Sequence, residues 1–160
     1  ELLEKGADPK LEKKDGSTPL YVAAERSPLE VEELLEKGAD PNREKTDGST
    51  PLHAALQSEI RAKEVVKALL DKGADPNKEK QDGTTPLVVA VQRVKAWPME
   101  LGALDIVDIL LDAGANVTQS VLDKAKEVLG EIDGETRPIQ KQEQINIIRS
   151  LEEALQKSKE

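Results

Sequence analysis

His53 is the single histidine of this 160-residue chain, and there is no cysteine. One imidazole makes neither a metal cluster nor a catalytic triad. Carboxylates are plentiful, but no pattern pairs two of them in the apolar setting that acid–base work requires. There is no GxxxxGK, and no GxGxxG follows a strand, so no phosphate cradle is encoded. DPNREKTDG, residues 40–48, has oxygen donors in a loop-like run but lacks the glycine at the sixth position of a calcium loop. It reads better as a polar connection. Asn116-Val117-Thr118 matches the glycosylation triplet; with no secretory signal it is taken as chance, with Thr118 or Ser120 capping a helix. The expectation is a non-enzyme without metal or cofactor.

Charge narrows the partner class. A formal net charge of −9 and a sequence pI of about 4.8 argue against a nucleic-acid backbone as partner. No apolar run approaches the roughly 20 residues that span a bilayer, and the longest is cut by Asp105, Asp108 and Asp112. The absence of cysteine fits a reducing compartment, and no basic, apolar leader opens the chain. The expected protein is an acidic, intracellular, cytoplasmic monomer whose partner is another protein. Aromatic residues are 1% of the chain, with no phenylalanine. A compact core normally uses such rings to fill space, whereas paired-helix layers never lie far from solvent and can do without them.

The elements that would position any site repeat along the chain. DGSTPL starts at Asp15 and again at Asp47, and DGTTPL starts at Asp82, intervals of 32 and 35 residues. KGADP occurs at 5–9, 37–41 and 72–76, with AGANV at 113–117 as a weaker copy. From each GAD glycine to the next DG aspartate is nine residues in all three cases. Thr18, Thr50 and Thr85 each precede a proline, an N-cap followed by the one helical position where a missing N–H costs nothing. A short helix should follow each, with Ala23, Ala24, Ala54, Ala55 and Ala90 allowing close stacking. A second helix carries Val65, Val66, Leu69 and Leu70, or Ile106, Val107, Leu110 and Leu111, at helical spacing. It ends at a glycine suited to the left-handed C′ position.

Helix, turn, helix and a hairpin-like connection, with TPL and GAD at the margins, resembles the ankyrin repeat. TPLHAA at 50–55 matches the family's TPLHxA signature, while Tyr21 and Val88 replace the histidine in the other copies. The resemblance covers roughly residues 1–117. It implies an all-α repeat solenoid, an ankyrin-repeat stack with β-hairpin-like finger loops. It also implies a structural hydrogen-bonding role for His53 between repeats.

The expected division is the end of a truncated upstream repeat and its finger at 1–14, then repeats at 15–46, 47–81 and 82–117. Residues 118–160 form a divergent helical C-terminal cap. Its first helix carries Val121, Leu122, Ala125, Val128 and Leu129 and is closed by Gly130; its second carries Ile145, Ile148, Leu151 and Leu155. The leading function is a protein-interaction module, using fingers and the concave face of the first helices. The alternatives are a structural spacer that positions another, catalytic domain of a larger protein, and an engineered repeat scaffold. The family's binding positions fall here on Lys14, Ser17, Glu25, Arg26, Thr46, Ser49, Gln57, Ser58, Gln81, Thr84, Gln92 and Arg93. The finger stretches KLEKK, REK and KEK are each net positive, a bias toward an acidic partner, whereas residues 98–135 hold nine carboxylates against two lysines.

Trp97, the only tryptophan, sits in RVKAWPMELGA, an insert between the two helices of the third repeat. It either folds back over Val94, Met99 and Leu101 or, backed by Pro98, anchors a protein partner. The first reading expects blue-shifted emission that iodide quenches poorly, and a Trp97→Ala variant of lowered stability. The second expects water-like emission and a Trp97→Ala stability change within about 0.5 kcal/mol, with partner capture weakened.

Overall fold

A computed structural model describes residues 12–58, 61–96, 103–131 and 138–158. Among these residues the regular structure is helical throughout, and the chain forms two compact units, Glu1–Thr84 and Thr85–Glu160.

The first unit contains two helix pairs, α1 (Pro19–Ala24) with α2 (Pro28–Glu36) and α3 (Pro51–Gln57) with α4 (Ala62–Asp71). Each pair packs internally, and α1 lies against α3 and α2 against α4. The threonine caps behave as their chemistry requires: Thr18 Oγ1 accepts the Tyr21 N–H at 3.2 Å, with Pro19 next in line. Ser27 caps α2 in the same way through the Glu30 N–H. The second helices end at Gly38 and Gly73, where φ is +81° and +88°. In each, the next alanine N–H reaches back to the helix, Ala39 to Leu34 O and Ala74 to Leu69 O, satisfying carbonyls the helix leaves over. Leu20, Val31, Leu52, Val66 and Leu69 fill the interior with Ala24, Ala54 and Ala55, and none of these is measurably exposed. Ala23, Ala24, Ala54 and Ala55 are all buried on α1 and α3, and such small side chains let the two short helices pack closely.

The second unit contains α5 (Pro86–Ala96), α6 (Ala103–Asp112), α7 (Gln119–Glu131) and α8 (Pro138–Lys157). Helix α5 packs on α6, α7 and α8, and α8 also covers α6 and α7. Thr118, rather than Ser120, caps α7 through the Val121 N–H. Two expectations need correction. Gly130 lies within α7, which continues to Glu131, and does not close it. The inward row of α8 is Gln144, Ile147, Ile148 and Leu151, whereas Ile145 is exposed and Leu155 half-buried. Three helices line one side of α8, and the i, i+3, i+4, i+7 row that faces them begins one residue before Ile145. Gln144 takes part by donating from Nε2 to Ala125 O at 2.7 Å.

Leu69 anchors α4 against its neighbours from a fully buried position. Leu69→Ala is expected to destabilise the protein by about 2–5 kcal/mol, read as a lower urea midpoint. An unchanged midpoint would contradict the packing described.

Candidate partner-binding surface

Three connections rich in charge join the repeats, and each turns at Asp-Gly. In the second, the Lys45 N–H donates to Ser49 O at 2.8 Å and the Gly48 N–H to Lys45 O at 3.0 Å. The first and third repeat this pattern from Lys13 to Ser17 and from Lys80 to Thr84. The expected hairpin-like fingers are thus tight hydrogen-bonded turns. A carboxylate locks each one: Asp15 accepts from the Ser17 N–H, Asp47 from the Ser49 N–H and Asp82 from the Thr84 N–H. Hydrogen bonds from the side chains of Ser17 and Thr84 together with their N–H groups, and from the Ser49 N–H, hold the three carboxyls below the usual aspartate range.

Successive fingers are laced together. The Thr46 N–H donates to Asp15 O at 3.1 Å, and the Gln81 N–H to Asp47 O at 3.0 Å. Gln81 Nε2 adds a bond to Thr46 O. The approach is so close that a Cβ on Gly48 would lie 2.9 Å from the Gln81 nitrogen, and one on Gly16 3.1 Å from Lys45 Cα. A Cβ on Gly83 would meet nothing within 4 Å. Lower on the same connections Asn42 bridges to the next repeat, donating from Nδ2 to Gly73 O at 2.8 Å and accepting the Asp75 N–H on Oδ1 at 2.7 Å. Asn42 was not among the expected binding positions. The signal for it is the asparagine that recurs in GADPN at 38–42 and 73–77.

His53, the one residue with obvious chemistry, is fully buried. Its Nδ1 accepts the Thr50 N–H at 3.3 Å, which places the ring proton on Nε2, 3.3 Å from Thr84 O. It therefore ties its own repeat to the following finger. Burial holds it neutral, with its pKa pushed down to about 4. Tyr21, at the same offset from TPL, is also buried, and burial raises its pKa to about 12. Above its ring stands Lys45 Nζ, 4.8 Å from the centroid.

The expected binding positions divide by burial. Lys14, Glu25, Arg26, Thr46, Gln57, Gln81 and Gln92 are exposed, and Thr84 is half-buried. Ser17, Ser49, Ser58 and Arg93 are buried, contrary to a surface role. Ser17 Oγ is bound to Asp15, and Ser58 Oγ donates to Glu25 O of the preceding repeat, so these hydroxyls serve the fold. Trp97 and its insert lie outside the described residues. Much of the finger charge is paired across neighbours, Arg43 with Glu12, Lys78 with Glu44 and Lys45 with Asp15. Lys14, Thr46 and Gln81 hold equivalent places one residue before each DG, and their exposed side chains form a row on laced backbone. Among the described residues no group of three or more histidines or carboxylates comes together to hold a metal ion. None of the described helices is long and apolar enough to cross a membrane.

The histidine makes stability depend on pH in a known sense. Its folded pKa lies below the unfolded value of about 6.5, so the unfolded chain takes up the proton first. The contribution is therefore complete above about pH 6.5, falls as pH drops, and levels off below about pH 4. Between pH 7 and 5 the loss is expected to be about 2 kcal/mol in urea titrations, and His53→Gln should flatten the dependence in that window. An equal slope in both proteins would contradict the neutral, buried ring.

Against known families, a model for ankyrin repeats (3 copies) matches residues 1–80 and 31–121. No curated protein matches the chain. With capped helix pairs, left-handed glycines and laced Asp-Gly fingers recurring at the same offsets, the chain belongs to the ankyrin-repeat family.

Proposed function

We propose that this chain is a non-catalytic protein-binding module that meets its partner with the fingers and with the exposed side of the first helices. Ankyrin repeats are generally protein–protein interaction modules. The observation that carries the reading is the row Lys14, Thr46 and Gln81: exposed side chains that the core does not use, on backbone held rigid by finger-to-finger hydrogen bonds. A pre-ordered row binds with little further loss of conformational freedom. Glu25 and Arg26 just after α1 and Gln57 at the end of α3 are exposed as well; in the second unit Gln92 is exposed on α5. The pairing of Arg43, Lys45 and Lys78 with carboxylates leaves a mixed polar surface, suited to a partner recognised by hydrogen bonds as much as by opposite charge. In this reading the repeats run 15–46, 47–81 and 82–117, and 118–160 caps them with helices whose outer faces are mostly polar, Ile139 and Ile145 excepted.

The test is a fourfold variant, Lys14→Glu, Arg26→Glu, Thr46→Glu and Gln81→Glu, immobilised beside the unaltered chain and exposed to cell extract. The variant should stay folded with a stability loss of about 1–2 kcal/mol, since all four positions are exposed but the bonds of Thr46 Oγ1 to Asp15 O and of Gln81 Nε2 to Thr46 O are lost. Proteins retained by the unaltered chain should be lost from the variant. Identical capture by both, with both folded, would refute the finger-row reading.

A further inference from the structure

The connection from α6 to α7 runs only from 113 to 118 and carries no Asp-Gly finger. Beside it two helices end, α6 at Asp112 and α8 at Lys157. An open groove of about 570 Å³ lies between these last turns and the connection. Its α6 wall carries Asp108 and Asp112, one helical turn apart, and its α8 wall carries Glu153, one turn before Lys157. All four side chains are exposed. Among the described residues none of the three carboxylates is held in an ion pair, so they set three negative charges against one ammonium. Helix C-termini concentrate partial negative charge, and two of them line this groove. Partial burial lifts the Asp108 carboxyl above the usual aspartate range, and the charges of Asp112 and Asp105 push the same way. The floor is apolar: Leu111, Val117 and Ala154 line it, and each is half-buried.

We propose that this groove docks a basic segment of a partner protein, with arginine set against Asp108, Asp112 and Glu153 and an aliphatic neighbour laid on Leu111, Val117 and Ala154. The chemistry selects against the alternatives. A nucleic-acid backbone or an acidic peptide is repelled by the same field. A bare metal ion needs its carboxylates converged on one point, and among the described residues no such group exists. A small cation leaves the apolar floor in water, whereas arginine rests its methylenes on such a floor and keeps its head with the carboxylates. Its five N–H donors also fan out to several acceptors at once, which a lysine ammonium does less well. The groove's volume takes more than one side chain, which is why the occupant is a segment. The proposal rests on the protein-binding reading but on none of Lys14, Thr46 or Gln81, so it and the finger row can fail separately.

The full chain, labelled with ¹⁵N, is titrated with the capped peptide Ac-Ala-Arg-Leu-Arg-Ala-NH₂ in about 0.15 M salt, where charges more than about 8 Å apart are largely screened. The amide resonances of Asp112, Val117, Glu153 and Ala154 should shift together and saturably. With citrulline in place of both arginines, which keeps the shape and removes the charge, binding should weaken at least about tenfold. With alanine in place of leucine it should weaken about threefold or more. Asp112→Asn combined with Glu153→Gln should cost about tenfold, and Lys157→Gln, which removes the competing ammonium, should tighten binding about twofold or more. These positions are exposed, so the variants keep the fold. No saturable shift at the groove, equal binding of the citrulline or the alanine peptide, an unchanged titration in the double variant, or weaker binding to Lys157→Gln would each overturn the proposal. The fourfold fingertip variant should leave the groove titration in place while it loses capture through the fingers.

Discussion

The carbonyl of Asp47 accepts the N–H of Gln81, and that of Asp15 accepts the N–H of Thr46. Much in the first unit depends on these bonds. An Asp-Gly turn by itself leaves backbone groups to water; here the first two turns are each partly completed by the turn that follows. The same dependence appears deeper in the fold. His53 is satisfied by Thr84, Asn42 by Gly73, and Ser58 by Glu25, each pair spanning a repeat boundary. A two-helix unit of six to ten residues per helix cannot hide its apolar face or its polar groups alone, so order in one repeat is conditional on order in its neighbour.

That conditionality explains what was legible in the sequence. The helix starts and stops were, because a threonine before proline and a glycine after an apolar stripe act through local geometry that any neighbour would permit. Thr18, Ser27, Gly38 and Gly73 act as their types suggest. The binding surface was legible only in part. Ser17, Ser49 and Ser58 look like surface residues by type, yet all three are buried, Ser17 and Ser49 bound within their own turns and Ser58 to the end of the preceding repeat's first helix. Arg93 is buried too, and nothing in its type announces that. Helix α8 shows the limit for packing: its apolar residues suggest two rows one position apart, and only the arrangement of α5, α6 and α7 selects the row through Ile147 and Leu151. Gly130 had a stop signal's identity without its conformation.

Charge follows the same logic. Read along the chain, each finger is basic; across the fingers, the cations of one meet the carboxylates of another. These pairs are solvent-exposed and add little to stability individually. Their larger effect is on the field a partner meets, which is close to balanced at the fingers. Specificity there then rests on shape and on hydrogen-bonding groups held at fixed spacing.

The three Asp-Gly glycines share a sequence context and a positive φ, but not the same surroundings. Gly16 and Gly48 are held by two constraints at once, the left-handed backbone and the neighbouring main chain where a methyl would sit. Gly83 answers only to the first. Residues that tolerate the left-handed region, asparagine above all, would be admitted at 83 for a small conformational cost and rejected at 16 and 48 by collision. Under neutral drift, therefore, three sites that look identical in one sequence should diverge in substitution rate, with the third finger wandering while the first two stand still.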